Sequence, residues 1–104
     1  MLTAELHPQD VDDLEAWYRE EHLDMLAKVP GYRRSLRYKI GPTTAVSKGE
    51  APDYIALHEV DDVTTALQSQ EAEAAKNTPW TKKQMADSKV FVARAWKLVK
   101  SLGY

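Results

Sequence analysis

Leu2, Ala4 and Leu6 alternate with Thr3, Glu5 and His7 at the start of the chain, which is the period of a short strand, and Pro8 closes it. From there the period changes. Across PQDVDDLEAWYREEHLDMLAKVPGY the positions Leu14, Trp17, Tyr18, His22, Met25, Leu26 and Val29 follow steps of three and four, predicting an amphipathic helix. Asp10 or Asp12 supplies its N-cap, acids fill its first turn, Lys28 falls in its last, and Pro30-Gly31 ends it.

After that break YRRSLRYKI sets Tyr32, Leu36, Tyr38 and Ile40 against Arg33, Ser35, Arg37 and Lys39, a second strand interrupted at Arg34. GPTTAVSKGEAPD reads as an exposed, mobile loop to a third strand, YIALHEV. In that strand Ile55 and Leu57 are expected to face the helices, leaving Tyr54 and His58 on the opposite side. Asp61-Asp62 then caps a weaker helix, VTTALQSQEAEAAK, with Val63, Ala66, Leu67 and Ala74 inward. Thr81 and Gln84 form a capping box for a further turn or two, and VFVARAWKLV gives the last strand.

The order β-α-β-β-α-β, with a small helix before the last strand, is the ferredoxin-like pattern: an α+β fold whose four-stranded antiparallel sheet carries both helices on one face. All four strands bear apolar or aromatic side chains on both parities, more than a solvated face tolerates. Two such sheets packed face to face in a homodimer would bury them around a shared barrel.

Bulk properties narrow the function. A chain of 104 residues makes one domain, 1–104, able to bury a core without staples. The absence of cysteine removes disulfides and thiolate chemistry, and three histidines without motif spacing supply few metal ligands. No leader and no apolar run near roughly 18 residues is visible, so a soluble, cytoplasmic protein without a membrane partner is expected. The net charge of -2 argues against a general nucleic-acid binder. Charge is uneven along the chain, acidic through the first helix and basic from Lys28 to Lys48; mixed-sign surfaces are normal, and a solvated face explains the row Arg33, Arg37 and Lys39 better than a phosphate cradle.

The segments DLEAWYREEHLDMLAKVPGYRRSLRY, with W-Y-x-x-E-H-L and P-G-Y-R-R, then YIALHEVDD and TPW followed by VFVARAWKLV, resemble the EthD-like members of the dimeric α+β-barrel superfamily along nearly the whole chain. The resemblance implies a homodimer of ferredoxin-like subunits. It also implies a choice among cofactor-free polyketide cyclases, dehydratases, decarboxylases and monooxygenases, haem-degrading enzymes, and proteins of unknown role. The chain is similar, too, to one half of longer two-repeat relatives.

His22 matches the histidine of the family's E-H motif. On an ideal helix it lies about 80° from Leu14, inward but off-centre, with Glu21 about 20° to the other side and in need of a partner such as an arginine. His58 could take a proton from an acidified C–H, since an imidazole titrates near neutrality, and Tyr54 could polarise a substrate carbonyl. Arg94 could bind a carboxylate or enolate beside an aromatic wall of Trp96, with Trp17 and Trp80 as further aromatic surface. Each has a structural alternative: a hydrogen-bonded layer histidine for His22, a strand-end histidine for His58, interface packing for Arg94 and Trp96, and a plug for Trp80. The functions in contention are a cofactor-independent lyase or cyclase acting on an aromatic or polyketide-like ketone in secondary metabolism, a cofactor-free monooxygenase of phenols or quinols, and a non-catalytic dimeric binding module.

Overall fold

The computed structural model describes residues 1–41 and 51–99. The strands are β1 (Leu2–His7), β2 (Tyr32–Lys39), β3 (Tyr54–Val60) and β4 (Val90–Ala95). They form one sheet in the order β2-β3-β1-β4 with every neighbouring pair antiparallel. The helices are α1 (Val11–Trp17), a π-turn (Tyr18–His22), α2 (Leu23–Leu26), α3 (Val63–Gln68), α4 (Gln70–Lys76) and α5 (Pro79–Asp87). This is the α+β, ferredoxin-like architecture, with α5 as the extra helix before the last strand. The predicted loop 41–53 lies mostly outside the described residues; at its base the Ile40 amide donates to the Asp53 carbonyl at 2.8 Å.

Side chains capping each helix fix where it begins. Asp10 accepts from the Asp13 amide, Asp62 from the Thr64 and Thr65 amides, and Thr78 from the Thr81 amide, with Pro79 in the first helical position of α5. The expected Thr81–Gln84 capping box is therefore corrected to a Thr78 cap, which frees the side chains of Thr81 and Gln84 for buried hydrogen bonds. The single helix predicted over 63–76 is also corrected. Ser69 adopts extended dihedrals (ψ 152°), ends α3 and caps α4 through the Ala72 amide. That break resets the helical phase, so Ala66 and Ala75 face the core while Leu67 and Ala74 are exposed.

The π-turn reshapes the first helix. An i→i+5 turn holds one residue more than an α-turn, so every later position lags by roughly the 100° of one residue. The consequence is visible at Leu23, which an ideal helix places opposite Leu14 but which packs against the core cluster of Leu6, Leu14, Trp17, Tyr18 and Ala56. His22 moves by the same lag from the flank of the apolar stripe toward its centre.

Direct cross-strand partners share a face. Leu6 pairs with Tyr54 and with Phe91, Ala4 with Ala56, Leu2 with His58, and all of these lie on the helix-covered side. Tyr54 and His58 thus sit beneath the helices, while Ile55 and Leu57 lie on the open face, the reverse of the expected assignment for β3. The small side chain of Ala56 decides it: at 1% exposure it lets the large rings of Trp17 and Tyr18 approach the sheet. The open face carries Thr3, Glu5, Leu36, Tyr38, Ile55, Leu57, Val92 and Arg94. β4 ends at Ala95 instead of running through Val99, because its neighbour β1 ends at Leu2 and offers only Met1 for one last exchange with Trp96.

Candidate functional site in the helix–sheet layer

The π-turn and the edge of the sheet bring both candidate histidines into one layer. Trp17, on the last turn of α1, stacks its indole on His22 with centroids 4.1 Å apart and planes 19° apart, and Tyr18 meets the same imidazole edge-on at 5.6 Å. The indole N–H of Trp17 donates to Thr81 Oγ1 at 3.2 Å, which fixes the ring from the side of α5. From the sheet, His58 Nδ1 lies 2.7 Å from Ser35 Oγ, and Ser35 Oγ lies 2.6 Å from the Tyr32 hydroxyl. Ser35 and His58 are cross-strand partners, so the register of β2 and β3 sets this contact directly.

The electrostatics of the layer keep both imidazoles neutral near pH 7. Burial is the first cause: it lowers His22 to about 3 and His58 to about 4. The Arg37 guanidinium further disfavours a cation at His58, and protonation of His58 would in turn disfavour one at His22. Burial also pushes the Tyr18 phenol up to about 12, so its hydroxyl stays protonated. Arg37 reaches from β2 across the ring of Tyr18, 3.9 Å from its centroid, and forks onto Glu15 with N–O distances of 2.6 and 3.0 Å. Its guanidinium covers the ring face and makes no hydrogen bond of ordinary geometry to the hydroxyl. The hydrogen bond from Arg37 in turn holds the Glu15 carboxyl below the usual carboxylate range.

Two buried polar atoms in this layer have no hydrogen-bond partner among the described residues: the Tyr18 hydroxyl and His22 Nδ1. An unmet buried group costs roughly 1–3 kcal/mol, so two of them in one layer mark a place where stability is given up. Chemically the arrangement offers one neutral imidazole wired to hydroxyls, a second imidazole stacked on an indole, and a phenol O–H free to donate.

The other expected site residues divide by face. Tyr54 and Trp80 join Trp17 on the helix side, packed against the Leu6–Leu14–Tyr18 cluster. Trp80 donates its indole N–H to Asp13 at 3.3 Å and plugs the gap between α1 and α5. Glu21 finds the Thr78 hydroxyl at 2.8 Å in place of an arginine. Arg94 and Trp96 lie on the open face, away from the histidines. There Arg94 pairs with Glu5 and stacks 4.5 Å from the Trp96 ring, whose N–H donates to Thr3 Oγ1 at 2.7 Å. Trp96 also borders a cleft of about 450 Å³ with Met1, Arg33 and Glu59. Arg33 and Arg34 are paired with Asp61 and Glu59, so most of the basic row of β2 is neutralised in place.

Ser35, Tyr32, Tyr18 and Glu15 are site neighbours that sequence reasoning does not single out, and Arg37, expected on a solvated face, is instead half-buried over Tyr18 and paired with Glu15. Ser35 had one usable signal: it is the small polar residue in a strand otherwise alternating aromatic and cationic. Among the described residues no cluster of three or more potential metal ligands occurs, and no helix is long and apolar enough to cross a membrane.

No family model matches the sequence, and no curated protein does. Among solved structures the chain superposes on an ethyl tert-butyl ether D (EthD) family protein from Bacillus halodurans with a TM-score of 0.64. The match covers 93% of this chain and 95% of that one at 18% identity. The chain has the EthD-like fold. Within that EthD-like frame the helix-covered side of the sheet holds the imidazoles and the open side holds Arg94 and Trp96, so the seven expected site residues form two separate groups.

Proposed function

We propose that this EthD-like chain is a cofactor-independent lyase or cyclase that moves a proton on an uncharged aromatic or polyketide-like ketone, using the helix–sheet layer of each subunit of a homodimer. The single observation that carries the reading is His58: a buried imidazole hydrogen-bonded through Nδ1 to Ser35, in the same layer as His22 and a Tyr18 hydroxyl with no hydrogen-bond partner among the described residues. In this role His58 accepts a proton from the carbon next to the carbonyl, and the Tyr18 hydroxyl donates to the carbonyl oxygen as negative charge develops there. Tyr54, Trp17 and Trp80 supply aromatic surface, and His22, stacked on Trp17, returns or accepts the second proton.

The charge balance of the layer supports an uncharged substrate. Arg37 is already forked on Glu15, and Arg94 is committed to Glu5 on the other face, so neither arginine is free to receive a carboxylate in the layer; Lys39, over the Tyr54 ring at 5.9 Å, is exposed at the end of β2. The open face, with Leu36, Tyr38, Ile55, Leu57 and Val92 among internal ion pairs, suits a second copy of the chain.

The test is incubation of the purified protein with a panel of aromatic polyketones, followed by product mass and dissolved oxygen. The proposed chemistry gives an isomer, a dehydrated product or a decarboxylated one with no oxygen consumed. Addition of oxygen to the product would replace this reading with a monooxygenase, and binding without turnover would replace it with a binding module.

A further inference from the structure

His58 presents a problem for any proton-transfer role. A base that must hold a full positive charge while buried is a weak one, because the layer that keeps it neutral also opposes its protonation. The hydrogen bonds behind the ring resolve this. Its Nδ1 meets Ser35 Oγ at 2.7 Å, Ser35 Oγ meets the Tyr32 hydroxyl at 2.6 Å, and Tyr32 is a half-buried residue at the start of the edge strand β2, where the sheet meets solvent. Each member is both donor and acceptor, so the chain can run in either direction.

We propose that Ser35 and Tyr32 are a hydroxyl relay that lets His58 exchange a proton between its Nε2 atom and solvent while the ring remains neutral. In one state His58 Nδ1–H donates to Ser35, the Ser35 O–H donates to Tyr32, and the Tyr32 O–H points to water, leaving Nε2 as a base. When Nε2 gains a proton, the Nδ1 proton passes to Ser35, the Ser35 proton to Tyr32, and the Tyr32 proton to a water molecule. One proton enters at Nε2 and one leaves at Tyr32. The product state has the opposite tautomer, with Tyr32 donating to Ser35, Ser35 donating to Nδ1, and Nε2–H ready to act as an acid. Running the chain backwards restores the base.

The neighbours facing the ring are consistent with a relay that avoids charge. Burial and Arg37 on β2 both disfavour an imidazolium at His58, and no carboxylate is hydrogen-bonded to it among the described residues. A histidine intended to carry charge is usually backed by a carboxylate. Here it is backed by two hydroxyls. The relay deepens the proposed function and rests on it for its catalytic meaning, but the hydrogen-bond chain can be tested without any substrate.

The experiment is nitrogen-15 NMR of the full chain with labelled histidine, comparing wild type with Ser35→Ala, Ser35→Thr and Tyr32→Phe at neutral pH. Wild-type His58 should show ring-nitrogen shifts intermediate between the protonated and bare values, the mark of two exchanging tautomers. Ser35→Ala should move the tautomer ratio by roughly fivefold or more, the weight of one hydrogen bond, Tyr32→Phe should move it less, and Ser35→Thr should restore it. A single fixed tautomer in wild type overturns the relay, even if Ser35→Ala fails to fold, and so does a ratio indifferent to Ser35→Ala. Turnover lost in His58→Gln with tautomers indifferent to Ser35 removes the relay alone; a responsive tautomer ratio with no turnover on any ketone removes the proposed function alone.

Discussion

The imidazole of His22 lies flat on the indole of Trp17, 4.1 Å between centroids, while its Nδ1 is buried without a partner. The stack stabilises and the orphaned nitrogen destabilises, by about 0.5–1.5 and roughly 1–3 kcal/mol respectively. His22→Phe keeps a ring against Trp17 and removes the orphan, so chemical denaturation should show unchanged stability or a gain of about 1 kcal/mol. His22→Ala should lose about 1–3 kcal/mol through the cavity it leaves. A clear loss in His22→Phe would mean that the imidazole is a structural residue with a partner after all.

Stability should also fall between pH 6.5 and 4.5, above the range where carboxylates titrate. Both buried histidines have folded pKa values, about 3 and about 4, below the 6.5 of the unfolded chain. As pH drops through 6.5 the unfolded state takes up protons that the folded state refuses, so stability present above 6.5 is lost on acidification. The His58 shift alone corresponds to about 3 kcal/mol once pH has passed below its folded value. Glu15 and Glu59, held low by Arg37 and Arg34, add their own loss only below about 4.5. The wild type should therefore lose stability relative to the double variant His22→Phe/His58→Gln as pH falls from 6.5 toward 4.5, while the difference between the two stays constant above pH 7; a difference that does not change with pH would contradict the assignment.

Much of this could be read from the sequence, and the failures have physical causes. Strand and helix periods gave the ferredoxin-like order, Asp10 and Asp62 gave real caps, and His22 was placed inward. The face of β3 was misassigned because Ile55 and Leu57 are more hydrophobic than Ala56 and His58. Packing against Trp17 and Tyr18 favours the small Ala56 over the more apolar pair. The π-turn leaves no signature in a hydrophobic period of 100° per residue, so the ideal-helix angle of His22 is about one residue out of phase and Leu23 is missing from the apolar stripe. The Ser35–His58 contact joins residues 23 apart in sequence through strand register, which no local pattern encodes.

Gly31 ties the end of the first helical segment to the sheet. It has φ +79°, its carbonyl accepts from the Asp61 amide at 2.9 Å, and an added Cβ would lie 3.2 Å from Asp61 Cβ. Gly31→Ala should cost about 1–2 kcal/mol from the left-handed backbone alone. Thermal unfolding measures it, and a neutral result would show that the turn relaxes.

Leu57 lies on the open face, paired across the strands with Thr3 and Leu36. If that face meets a second copy, Leu57→Asp places charges opposite each other in the shared interior and should leave a folded monomer. Sedimentation of wild type and variant reads the outcome; identical masses for both would remove the homodimer from the proposal.

The central claim is that His58 transfers a proton within the helix–sheet layer. It is tested most directly by the rate at which deuterium from solvent enters the carbon next to the carbonyl of a bound aromatic ketone. Wild type should exchange at least about 10²-fold faster than His58→Gln, with both proteins folded and binding the ketone equally. Equal rates in the two proteins would contradict it.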